Sequence, residues 1–126
     1  MSISLIPDSI LYPTESRQEL EALTNQLRLE FQPSNEAEEE VFEHIVIASW
    51  LRKRYEKVRS KLYDRKHTLA ADSPNLPVTI DSIKRFQHEV EQQKKQLAGL
   101  RKALRRLRED KTVSIQEELY EYLPAA

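Results

Sequence analysis

Residues 83–107 read IKRFQHEVEQQKKQLAGLRKALRRL, and residues 37–62 read AEEEVFEHIVIASWLRKRYEKVRSKL. In the later stretch Ile83, Val90, Leu97 and Leu104 recur every seven residues, and Phe86, Gln93, Leu100 and Leu107 form a second row three residues on. In the earlier stretch Val41, Ala48, Tyr55 and Leu62 alternate with Ala37, His44, Leu51 and Val58. Two interleaved rows of sevens put a seam of side chains on one face of a long helix. Two such helices with a proline-containing stretch between them predict an antiparallel coiled-coil hairpin.

The rest of the chain supplies starts and stops around that hairpin. A first helix is expected over 14–32, opened by the capping-box spacing of Ser16 and Glu19 and closed by Pro33. Leu20, Leu23, Leu27 and Phe31 lie along one of its faces. The second helix, 35–66, begins with Ser34 or Asn35 as cap, followed by Glu36, Glu38, Glu39 and Glu40. Those carboxylates complement the positive end of the helix dipole. A loop over 67–79 contains Pro74 and Pro77, with Thr79 or Asp81 capping a third helix over 80–110. Ser114 and Glu117 open a short fourth helix, 114–123, carrying Ile115, Leu119 and Leu123. Residues 1–13 read as an extended arm, apolar but interrupted by Pro7 and Asp8.

Folding the chain about Pro74 gives a register. It pairs Leu62 with Phe86, Val58 with Val90, Leu51 with Leu97, Ala48 with Leu100, and Val41 with Leu107. Tyr55 then meets Gln93 in a layer able to hydrogen-bond. Phe42, Val46 and Trp50 form a second apolar stripe along the first half of the second helix. The first helix can cover it, Leu27 near Phe42 and Leu20 near Trp50. The expected architecture is all-α in one domain: a three-helix bundle at one end, a two-helix stalk at the other, and a short C-terminal helix.

Composition agrees and narrows the function. The 126 residues include 33% charged side chains, one glycine and no cysteine, with a net charge of -1. That suits solvent-bathed helices, removes disulfides and thiolate chemistry, and is compatible with a cytoplasmic location. The broken N-terminal apolar run does not have the form of a signal peptide or a membrane span. His44 sits on the seam near Glu40 and Glu43, His67 in the loop and His88 on an outer face; none has a metal-ligand spacing. No phosphate loop, nucleophile elbow or zinc-protease motif occurs, and Gly99 alone cradles nothing. Neither enzymatic activity, nor a cofactor, nor a small-molecule substrate is expected.

Charge is segregated along the hairpin. Arg101, Lys102, Arg105, Arg106 and Arg108 fall beside Glu36, Glu39, Glu40 and Glu43, and interhelical pairing is their expected role. Arg52, Arg54, Lys57, Arg59, Lys61, Arg65 and Lys66 have few acidic neighbours. Together they are the candidate surface for nucleic acid or an acidic partner. Trp50, Leu119, Tyr120 and Leu123 are the candidate protein interface.

Glu30-Phe31-Gln32-Pro33, the acidic run Glu38-Glu39-Glu40, and Ala48-Ser49-Trp50-Leu51-Arg52-Lys53-Arg54 carry a resemblance. The stretch from about residue 16 to 55 resembles a family of uncharacterised bacterial helical proteins. Its members share an E-F-x-P turn, an acidic helix start and an A-x-W-x-x-R-R-like segment. Many also carry a Lys-His-Gly-Leu segment before the first helix, which this chain lacks. The resemblance implies a unit of the first and second helices and carries no activity over to this chain. The function expected is a non-catalytic helical interaction or scaffold protein with a protein partner or self-association. The alternative is a nucleic-acid-binding accessory protein using the basic end of the hairpin.

Overall fold

A computed structural model describes residues 10–109. They form α1 (Arg17–Phe31), α2 (Glu36–Thr68) and α3 (Asn75–Glu109), with no strand among the described residues. The expected helix over 114–123, with Leu119, Tyr120 and Leu123, lies outside them, as do residues 1–9 of the expected arm.

Each helix start follows from its side chains. The Ser16 Oγ accepts from the Glu19 backbone N–H at 3.4 Å, and the Asn35 Oδ1 accepts from that of Glu38 at 2.9 Å. Each satisfies one orphan donor of a first turn. Between α1 and α2 the chain reverses through Gln32, whose φ of 47° is left-handed, and then Pro33. The turn is locked by a nearly buried carboxylate. Glu38 accepts from the Ser34 Oγ at 3.0 Å, the Asn35 Nδ2 at 3.1 Å and the Arg108 Nε at 2.9 Å. Arg108 also donates to the carbonyls of Phe31 and Gln32, so the far end of α3 is tied to the turn. Burial pushes the Glu38 carboxyl upward, but Arg108 and Ser34 more than offset it and the net shift is downward.

The third helix begins five residues before the expected boundary. Pro77 falls in its first turn, where a missing N–H breaks no intrahelical bond, so that proline permits the helix instead of stopping it. Neither Thr79 nor Asp81 is the cap. The Thr79 hydroxyl, nearly buried, donates back to the Asn75 carbonyl at 2.8 Å. Ser73 organises the entry instead, accepting from the Asn75 N–H on its hydroxyl and from the Leu76 N–H on its carbonyl.

That earlier start shortens the connection to residues 69–74 and moves the centre of the hairpin away from Pro74. α2 and α3 pack along their lengths as an antiparallel pair, and α1 lies on α2. The ring of Tyr55 meets Phe86, with centroids 6.0 Å apart, so the expected Tyr55–Gln93 layer is displaced by seven residues. Further steps of seven set Ala48 across from Gln93 and Val41 across from Leu100. Val41 and Leu100 are fully buried, as this register requires, while the buried Gln93 Oε1 has no hydrogen-bond partner among the described residues. One heptad of slip keeps every seam residue on its face, which is why periodicity alone admits both registers.

One core cluster draws on all three helices. Leu20, Leu23 and Leu27 of α1 join Phe42, Ile45, Val46 and Trp50 of α2 and Leu97, Leu100 and Leu104 of α3. Ile10 and Leu11, at the end of the expected arm, pack against it. Nearer the loop the seam is uneven: Ile83 and Val90 are buried, whereas Tyr55, Val58, Leu62, Ile80 and Phe86 are half-buried.

The register is open to direct measurement, since the chain has no native cysteine. Tyr55→Cys with Phe86→Cys is expected to crosslink within the chain under a short bis-maleimide, and Tyr55→Cys with Gln93→Cys to crosslink much less. Gln93→Leu removes the unsatisfied buried oxygen and is expected to raise stability by about 1 kcal/mol, read as an increase in Tm.

Candidate functional site

Trp50 and Arg54 are one turn apart on α2, so both point to the same side. What they meet is a short turn ahead of α1. Tyr12, Pro13, Thr14 and Glu15 form it, closed by the Glu15 N–H donating to the Tyr12 carbonyl at 2.8 Å. Proline in its second position presets the backbone for such a turn. The turn delivers the Glu15 carboxylate onto α2. Arg54 grips it with two bonds, Nε to Oε2 at 2.8 Å and Nη2 to Oε1 at 2.6 Å, and the Trp50 Nε1 donates to Oε1 at 3.3 Å. Arg54 also donates to the Ile10 carbonyl, and its guanidinium lies 3.7 Å from the centre of the Tyr12 ring.

Arg54 is 8% exposed and Trp50 5%. Both were expected at a contact surface, and both are consumed inside the fold. The arginine's hydrogen bond holds the Glu15 carboxyl far below its ordinary value, at about 2, against the opposing effect of burial. The same bond raises Arg54.

The other cations of the expected surface have different surroundings. Arg52 pairs with Glu56 at 2.8 Å along the helix, and Lys57 approaches Glu19 at 3.8 Å with both largely exposed. Arg59, Lys61, Arg65 and Lys66 form no ion pair among the described residues; Lys61 and Arg65 are exposed, Arg59 and Lys66 half-buried. Lys84 of α3 is exposed nearby, and Arg85 lies 5.3 Å from the Phe86 ring centre. Residues 58–86 hold six Lys or Arg against three Asp, so this end of the hairpin is positive. Tyr63, 39% exposed, and Val78, 65% exposed, add apolar surface there.

At the opposite end the expected pairing of arginines and glutamates takes a narrower form. Arg108 reaches Glu38 and not the four glutamates expected to receive it, because Glu38 faces inward where the α1–α2 turn meets α3. Glu39 is taken by Arg28 of α1 at 2.5 Å, and Arg101 lies 5.6 Å from the Phe31 ring centre. An open groove of about 820 Å³ follows the turn, lined by Pro33, Glu36, Glu40 and Glu43. Burial raises the Glu43 carboxyl, and repulsion from Glu39 and Glu40 raises it further.

A second groove, about 720 Å³, runs between α1 and α2 over Leu23, Trp50 and Val58 beneath Lys53, Lys57 and Lys61. No group of three or more metal-binding side chains occurs among the described residues, and no described helix is long and apolar enough to cross a membrane. His44 is half-buried and its pKa is lowered by that burial, against the pull of Glu40.

Sequence reasoning missed Glu15 and Tyr12. The available signal was the acid closing a Tyr-Pro-Thr-Glu turn, but nothing in it names Arg54 as the recipient. No protein-family model matches the chain, and no curated protein or solved structure matches it either.

The Glu15–Arg54 pair carries a pH signature. In the unfolded chain Glu15 takes up its proton near the ordinary 4.5, whereas the folded pair refuses it until about 2. Its contribution is therefore complete above pH 4.5, declines as pH falls through that window and is lost below about 2, amounting to at most about 3 kcal/mol. Glu15→Gln is expected to destabilise the protein by about 3 kcal/mol at neutral pH and to flatten the acid limb of its stability curve, measured by urea titration across pH.

Proposed function

We propose that this chain is a non-catalytic helical interaction protein. In this reading a three-helix bundle forms a rigid base, and a two-helix coiled-coil stalk presents the contact surface. The reading is supported above all by the difference between the two ends. At the α1 end, Arg28, Arg54 and Arg108 are bound to Glu39, Glu15 and Glu38, and the core is closed. At the loop end Ile83 and Thr79 are buried but Lys61 and Arg65 form no ion pair among the described residues, and Tyr63 and Val78 are exposed there as Tyr12 and Leu29 are at the other end. Side chains that do nothing for the fold are the ones free to serve a partner. Two paired helices burying a single seam gain little from it alone, so a further surface against that seam is favourable.

The same cations favour a second reading, in which the tip neutralises phosphates of nucleic acid. Asp64, Asp72 and Asp81 interrupt the basic surface, and the cations stand on several sides of two helices instead of along one face. The interaction reading is accordingly preferred.

Lys61→Glu with Arg65→Glu is expected to lower stability by no more than about 1 kcal/mol, because both residues lie outside the core and Arg65 stands in the last turn of α2. Electrophoresis with single- and double-stranded nucleic acid at low ionic strength is expected to give no shift. A shift that weakens with salt and disappears in the double variant would transfer the assignment to nucleic-acid binding.

A further inference from the structure

We propose that the segment 114–123 of this chain folds back along α3 and docks as a fourth helix on the flank that carries Gly99 and Ala103. This docking is at the bundle end and does not depend on what the stalk tip binds.

The flank is identified by where its neighbours point. Residues two apart on an α-helix stand about 200° apart around it. The Arg101 guanidinium lies on the Phe31 ring, so Arg101 is on the α1 side of α3. Gly99 and Ala103, two residues to either side of it, point away from α1. Both are buried, Ala103 completely, yet neither belongs to the core cluster shared by the three helices. His44 of α2 stands in the same relation to Phe42 and Val46, which meet α1; it too points away, is half-buried and lies outside the cluster. One side of the hairpin is therefore covered by α1, and the other is buried where no described helix lies against it.

The remaining chain has the length and pattern to cover it. Residues 110–113 can span about 13 Å when extended, enough to cross the roughly 8–10 Å between packed helices. The expected helix over 114–123 then rises about 15 Å, the distance back along α3 from Glu109 to Gly99. Ile115, Leu119 and Tyr122 share one face of it and come level with Leu107, Ala103 and Gly99 in turn. Glu118 and Glu121 flank that face on one edge, Gln116 and Tyr120 on the other. A helix running antiparallel to α3, with its apolar face on the hairpin, turns the glutamate edge toward α3 and the uncharged edge toward α2. On this side α3 presents Lys102 and Arg106, the next row out from Gly99 and Ala103, and α2 presents Glu40, one turn before His44. Running the other way, the helix would set its glutamates against Glu40. Leu119, expected at a protein interface, is then consumed inside the fold as Trp50 is.

Crosslinking in the full chain tests the docking, since no native cysteine competes. Lys102→Cys with Glu121→Cys is expected to link within one chain under a short bis-maleimide. Its yield should exceed at least tenfold that of Arg105→Cys with Glu121→Cys, because Arg105 is one turn from Arg101 on the α1 side. A glutamate-specific protease gives a second measure, because a helix of this length is not stable undocked. Leu119→Asp is expected to be cut after Glu117 at least tenfold faster than wild type, with the helicity of the rest retained by circular dichroism. Lys102→Glu with Arg106→Glu is expected to speed the same cut, and Glu118→Lys with Glu121→Lys added to that variant to slow it again. Equal yields from the two cysteine pairs overturn the docking. So does a link formed only between copies, or a wild-type chain cut after Glu117 as fast as Leu119→Asp.

Discussion

The connection between Thr68 and Asn75 is the constraint from which the rest of the geometry follows. With residues 69–74 outside the helices, α2 and α3 have little freedom to slide. Their antiparallel register is set by where the chain can turn. Ser73 holds the entry to α3, and Pro77 sits where a helix tolerates it. From that hinge Tyr55 arrives at Phe86, and at the far end Arg108 arrives at Glu38. The layer that would have answered Gln93 is lost in the same movement, leaving its oxygen unpartnered. One short connection thus decides both the best-satisfied and the least-satisfied polar groups between the two helices.

A second fastener closes the other side of α2. The Tyr12–Glu15 turn places a carboxylate where Arg54 and Trp50 both reach it, and Tyr12 covers the guanidinium. An arginine this enclosed needs its partner, since an unpaired buried charge would cost several kcal/mol. The segment ahead of α1 is therefore bound by necessity, and α1 is delivered onto Phe42, Val46 and Trp50 in consequence. Burial deepens toward this end and thins toward the loop. That gradient separates the cations that hold the fold from those that do not.

The helices were legible in the sequence because their signals are local. Sevens mark the seams, Ser16 with Glu19 marks one start, and Asn35 marks another; each depends on residues within a turn or two. Pro77 was read as a breaker because its effect depends on whether it stands inside a helix or in the first turn, which composition does not reveal. The register was illegible for a deeper reason: a slip of seven maps every seam residue onto another seam residue, so the pattern is blind to it. Arg54 was indistinguishable from its neighbours for a similar reason. Among Arg52, Lys53, Arg54 and Lys57, what singles out one is a carboxylate thirty-nine positions earlier in the chain. Trp50 was named as a candidate protein interface, and in the structure it is 5% exposed within the core cluster.

Once Arg54 and Trp50 are assigned to the interior, the basic surface that was read as one cluster divides. Its first part belongs to the fold, and its last part, Arg59, Lys61, Arg65 and Lys66, forms no ion pair among the described residues. The acidic start of α2 divides in the same way: Glu38 and Glu39 are engaged, whereas Glu36 and Glu40 are not. Removing the engaged charges leaves Glu36 and Glu40 at the start of α2 and Arg59, Lys61, Arg65 and Lys66 toward its end. Helix capping accounts for acids at the start of α2 and cations at its end.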